Sequence, residues 1–191
     1  MVEPRRLHRF SYAEYVQREM YSDEKHEFLD GDISLMGGGS EEHAALAFRI
    51  ARLLDDAIGE RPCRGYSADL RIYVESARLA TFPDVSVICG PVKRHEPGPE
   101  TTALNPTILV EVTSPSSEEY DLGFKRQSYL TIPSLREYVI VSYRERRITV
   151  DVRNADGSWT TRTATRGERV ELPSLDTQIA VDDVYRKSAI A

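Results

Sequence analysis

The chain has 191 residues, of which 40% are apolar and 29% charged, with a formal net charge of −6 and a pI near 5.3. Those values suit one globular domain spanning residues 1–191 with a sizeable core, and they weigh against a dedicated, avid DNA-binding protein, while leaving room for an enzyme that meets phosphate in one local cleft. Two cysteines without metal-type spacing point to reduced thiols in a cytoplasmic setting; there is no signal peptide, and no apolar run approaches the roughly 18 residues of a membrane span.

In chain order, Arg5, Arg6 and Arg9 read as a solvated basic arm. Ser11 and Glu14 then form an S-x-x-E capping box that predicts a helix with Tyr12, Tyr15 and Val16 on its apolar face and Phe10 stapled onto Tyr15. Residues 27–36 predict a hairpin turning at Asp30-Gly31. Glu27 at its start is either an exposed strand-end acid or a functional one. Gly37-Gly38-Gly39 lacks a Walker lysine or a dinucleotide-binding pattern and reads as a flexible link. Ser40 is a good N-cap for a helix that buries Leu46, Ile50, Leu53, Leu54 and Ile58 and closes at Gly59. His43 in its first turn reads as a capping or packing residue.

Strands are predicted over Tyr66–Val74 and Pro83–Ile88. Residues 90–105 are rich in Pro, Gly, Glu and Lys and read as a surface excursion. Thr107–Thr113 is a buried strand by its run of β-branched and apolar residues, yet it contains Glu111, a carboxylate that is costly there unless paired or bound to a cation. After the Ser114–Ser117 turn, Asp121 and Lys125 share one helical face by their i, i+4 spacing, and Ile132-Pro133-Ser134 ends that helix. Glu137–Tyr143, Arg147–Val152 and Trp159–Thr165 complete the strands, the last turning at Asp156-Gly157. Asp84 and Glu111 on neighbouring strands, with a lysine returning from the next helix, suit phosphodiester hydrolysis with a hard cation. The alternative for these acids is a structural pair satisfied by arginines.

Glu27 with Asp30-Gly31, Ser40-x-x-His43, Pro83-Asp84, the run from Glu111 to Ser116, Asp121-x-x-x-Lys125 with Tyr129, and Ile132-Pro133 before Glu137-Tyr138 are together specific, although each is weak alone. On these residues the chain resembles the Uma2 family, a branch of the restriction-endonuclease-like nucleases. The resemblance implies an α/β (α+β) fold with a mixed β-sheet flanked by helices, acids at one sheet end, and a homodimer. In the parent superfamily a lysine follows the second acid by two residues. Here that position is Thr113, and the resemblance implies that Lys125 supplies the amine instead.

The expected site therefore has Asp84, Glu111 and the backbone carbonyl of Val112 around Mg²⁺ or Mn²⁺, Glu27 as an auxiliary ligand, and Lys125 orienting water or offsetting charge. The substrate implied is DNA. Asp121 either holds Lys125 or is a plain helix-end acid. Two functions follow: a metal-dependent nuclease, or a catalytically silent dimeric binding module that keeps the fold.

Overall fold

The structure is a computed structural model, in which residues 9–95 and 102–190 are described. Arg5 and Arg6 lie outside the described residues; Arg9 is exposed and pairs with Asp30 at 2.9 Å. Helix α1 (Tyr12–Glu19) opens on the predicted capping box, with the Ser11 hydroxyl accepting the Glu14 N–H and the Glu14 carboxylate accepting the Ser11 N–H. It buries Tyr15 and Val16. Strands β1 (His26–Leu29) and β2 (Asp32–Leu35) pair antiparallel, and both turn residues are left-handed, Asp30 at φ 45° and Gly31 at φ 101°, as the tight turn requires. Helix α2 (Glu41–Ile58) is capped by Ser40, closes at Gly59 with φ 52°, and buries Leu46, Ile50, Leu54 and Ile58.

The remaining strands are β3 (Cys63–Ser67), β4 (Arg71–Val74), β5 (Leu79–Thr81), β6 (Val85–Cys89), β7 (Thr102–Ala103), β8 (Ile108–Val112), β9 (Glu137–Val141), β10 (Arg147–Arg153), β11 (Trp159–Thr165), β12 (Arg169–Leu172) and β13 (Thr177–Ala180). They build a five-stranded sheet in the order β2-β1-β5-β4-β7, a six-stranded sheet in the order β11-β10-β9-β8-β6-β3, and the hairpin β12-β13. Pairing of β8 with β9 and of β4 with β7 is parallel and every other pairing antiparallel, so both large sheets are mixed, as the fold class requires.

Side-chain alternation fixes the layers. On β8 and β9, Val110, Val112, Val139 and Val141 face α2 and the C-terminal hairpin, while Leu109, Tyr138 and Ile140 face the five-stranded sheet through its Ile72, Val74 and Leu79. The opposite face of that sheet presents Phe28, Tyr73 and Ala80 to Tyr15 and Val16 of α1. A helical segment, Glu118–Tyr120, a π-turn at Asp121–Lys125 and then Arg126–Tyr129, delivers Tyr129 into the layer between the two sheets.

The structure corrects three expectations. The stretch 66–74 is two strands in different sheets, because Ser67–Leu70 turns: the Leu70 N–H reaches the Ser67 carbonyl and the Ser67 hydroxyl donates to Asp69. The excursion at 90–105 returns as β7, whose Thr102 and Ala103 are buried beside β4; residues 96–101 lie outside the described residues. Cys63 and Cys89 are not reduced thiols but a disulfide, since the antiparallel register of β3 and β6 sets them opposite each other.

Leu109 is fully buried between the two large sheets. Leu109→Ala should lower unfolding free energy by about 2–5 kcal/mol in urea titration. A loss below about 1 kcal/mol would contradict the layering described.

Candidate active site

Sheet register assembles the two acids. β6 and β8 pair antiparallel with Ser86 opposite Leu109 and Val85 opposite Val110, so one step further brings Asp84 opposite Glu111. Asp84 precedes the strand, after Pro83, and its Oδ2 accepts the Val112 N–H at 2.7 Å. That bond pins the Asp84 carboxylate beside the end of β8.

Glu111 is 4% exposed, and its charge would be costly without partners. Its Oε1 accepts from the Tyr129 hydroxyl at 2.8 Å and lies 3.0 Å from the Lys125 ammonium. Lys125 also reaches Asp121 Oδ1 at 3.2 Å, the expected i, i+4 pair, and sits 5.7 Å from the centre of the Tyr120 ring. The π-turn bears on this geometry: both Asp121 and Lys125 are buried within it, and Tyr138 donates from its hydroxyl to the Asp121 carbonyl at 3.2 Å. Thr113, the position that holds lysine in the parent pattern, instead donates to the Val141 carbonyl and accepts the Tyr143 N–H, a backbone brace.

Electrostatics follow from this burial. Loss of solvent raises the Glu111 pKa to about 8, opposed by Lys125 and then assisted by the charges of Asp84 and Asp121. Burial alone would lower Lys125, but Glu111, Asp121 and Glu27 outweigh it and hold its pKa above the ordinary value. The two directions pull against each other, because the charge that favours the ammonium is the one that burial disfavours. Asp121 is the second acid in contact with the ammonium.

Asp84, Glu111, Asp121, Lys125 and Glu27 line one cleft of about 480 Å³, walled also by Gly37–Gly39 and the serines of the 114–117 turn. Glu27 borders the cleft from the five-stranded sheet, where its Oε1 accepts the Tyr120 hydroxyl. No arginine pairs with Asp84 or Glu111 among the described residues, so an arginine-satisfied structural pair is not what forms.

Three participants were not read as site residues from the sequence. Tyr120 and Tyr129 place hydroxyls on Glu27 and Glu111, roles that depend on how the helical segment folds back. His43, expected to be a cap or packing residue, turns its imidazole into the cleft with Nε2 3.3 Å from Asp84 Oδ2. Its pKa is raised first by that bond to Asp84, against burial, with Glu111 and the Val112 backbone assisting. The available signal was the Ser40-x-x-His43 spacing: the cap bond from the His43 N–H to the Ser40 hydroxyl fixes which way the first turn presents its third residue.

The donor chemistry suits a hard cation. Asp84 Oδ1 and Glu111 Oε2 carry no hydrogen bond among the described residues, leaving one open oxygen on each acid in a cleft that Val112 also lines. No group of three or more His, Cys, Asp or Glu side chains is set for a metal ion among the described residues. Two carboxylates and a main-chain oxygen, with water completing the shell, match what Mg²⁺ accepts better than a cage of side chains would.

A family model described as "Uma2: Putative restriction endonuclease" matches residues 12–182. An uncharacterized Synechocystis protein, slr1290, is 37% identical over 178 residues, covering 93% of this chain and 92% of that one. A second, sll1609, is 33% identical over 160 residues, covering 84% and 89%. Among solved structures, the crystal structure of a putative nuclease belonging to DUF820 from Anabaena variabilis superposes with a TM-score of 0.75 at 16% identity, covering 92% of this chain and 97% of that one. The chain belongs to the Uma2 family.

Gly39 limits where His43 can go. A Cβ there would lie 2.5 Å from the His43 Nδ1, although the backbone at Gly39 is not in the left-handed region. Gly39→Ala should therefore fold normally but swing the imidazole off Asp84. NMR titration should show the His43 pKa falling toward its ordinary value, since the bond that raises it is lost. An unshifted His43 would mean that the ring does not depend on this gap.

Proposed function

We propose that this Uma2 protein is a metal-dependent nuclease that hydrolyses DNA phosphodiester bonds, with Asp84, Glu111 and the Val112 carbonyl holding Mg²⁺ or Mn²⁺. The observation that carries the reading is the buried Lys125 ammonium 3.0 Å from Glu111, in a cleft that Asp84 shares. The family description and the shared fold of the Anabaena putative nuclease support the same reaction class.

The cation would supply an acidified water and charge neutralisation at the scissile phosphate. The protein's own groups do the rest. Tyr129 holds Glu111 Oε1 in place, and the Val112 N–H does the same for Asp84, so both acids are preorganised and keep their other oxygens open. Lys125 directs its positive charge into the cleft, where it orients the attacking water and offsets charge developing on the phosphate. Asp121 is a positioning residue that holds the lysine from within the same π-turn. Glu27, tied to Tyr120, serves as an auxiliary acid at the cleft edge. His43 adds an imidazole beside Asp84, available as a further ligand in its neutral form.

A homodimer belongs to the same proposal. The cytoplasmic setting loses the support of reduced cysteines, because Cys63 and Cys89 are paired. No helix among the described residues is long and apolar enough to cross a membrane. One observation favours the silent binding module: Asp84, Glu111 and Asp121 each already have one protein partner, so the acids are held in place without a cation.

Lys125→Ala should lower Mg²⁺-dependent DNA cleavage by about 100-fold or more while the chain still folds and still binds metal by calorimetry, with its unfolding free energy lowered by about 3–5 kcal/mol. Thr113→Ala should cost less than about threefold, because it removes a backbone brace and no charge. Full cleavage by the Lys125 variant would defeat the assignment. No metal binding by the native chain would favour the silent module.

A further inference from the structure

We infer that a groove outside the catalytic cleft, between α2 and the C-terminal segment, holds the backbone of a single-stranded stretch of the substrate DNA. This inference rests on the nuclease reading and adds a substrate-binding track to it. The groove, of about 280 Å³, is lined by Phe48 and Arg49 of α2 and by Arg186 and Lys187 across from them, over a floor of Ala45, Leu46 and Val184.

Three features set this surface apart. First, three cations line one groove, and none of them pairs with a carboxylate among the described residues. In a chain of net charge −6, three cations against the single acid Glu42 give this lining a net positive charge that suits phosphate. Second, the track is held in place. Tyr185 is fully buried and donates to the Ser142 and Arg147 carbonyls, so Arg186 and Lys187 extend from an anchored residue. Glu42, the acid in the lining, accepts the Ser188 hydroxyl, which ties the segment to α2. Third, Phe48 is 73% exposed beside Arg49. An exposed aromatic among cations is the combination that binds single strands, with bases stacking while phosphates meet the charges. Duplex DNA offers no unpaired base for Phe48. Glu42 lines the groove and His43, the next residue of α2, lines the cleft, so one helix contributes to both.

The test is fluorescence anisotropy of a fluorescein-labelled single-stranded DNA 20-mer with the full chain in EDTA, over a salt series. A triple variant, Arg49→Ala, Arg186→Ala and Lys187→Ala, should bind at least tenfold more weakly. Its slope of log affinity against log salt should flatten by about 2, since each phosphate contact on a single strand contributes about 0.7. Phe48→Ala should weaken binding about tenfold at unchanged slope. A control triple, Arg64→Ala, Arg166→Ala and Arg169→Ala, removes equal charge elsewhere and should stay within about twofold of native. Lys187→Glu alone should weaken binding in the same direction, and as a single exposed change it leaves the fold intact. Equal losses in the two triples, or native-like binding by the groove triple in a chain that still cleaves DNA, would overturn this inference alone. A native chain that neither binds nor cleaves DNA would overturn the nuclease reading and this track with it.

Discussion

The buried contact between Lys125 and Glu111 is the constraint on which the rest of the site depends. Removing an ammonium and a carboxylate from water costs several kcal/mol for each ion, and their mutual attraction offsets that only when further hydrogen bonds satisfy both. The structure supplies those bonds from three directions. Tyr129 donates to Glu111, Asp121 accepts from Lys125, and Tyr138 holds the Asp121 backbone. Both aromatic residues belong to the layer between the sheets, so the hydrophobic core and the polar site share side chains. A protein selected for stability alone would be served as well by apolar residues at these positions. Retaining the charges is what a chemical or binding role would require.

The two-sheet architecture explains how so many acids face one cleft. The six-stranded sheet brings Asp84 and Glu111 together by register, and the five-stranded sheet brings Glu27 to the opposite side. The helical segment 118–129 spans the gap and supplies Tyr120, Asp121 and Lys125 from one short stretch. Its π-turn adds a residue to the ladder at the point where the lysine must face inward. Gly37–Gly39 and the serine turn close the rim without large side chains, leaving space above the acids.

Much of this was legible in the sequence, and the parts that were not share a cause. Local signals read well: the Ser11–Glu14 box, the Asp30-Gly31 turn, the Ser40 cap and the period of α2 all depend on neighbouring residues. Glu111 drew notice because a carboxylate inside a β-branched run needs a partner. That Lys125 would be the partner followed from family resemblance, since spacing alone leaves its direction open. What failed was long-range. The insertion of β7 beside β4, the Cys63–Cys89 pairing and the inward turn of His43 all depend on which segments meet across at least 26 residues. Composition misled at 90–105, where two buried residues close an otherwise polar stretch.

The central claim is that the open oxygens of Asp84 and Glu111 form a cation site beside a lysine that remains charged. Anomalous diffraction from crystals soaked in Mn²⁺ tests it most directly, because it locates the ion without reference to any substrate. The account predicts one strong peak within coordination distance of both carboxylates and the Val112 carbonyl, with Lys125 still on Glu111. Saturating Mn²⁺ that leaves this position empty, or a peak coordinated elsewhere, would contradict it.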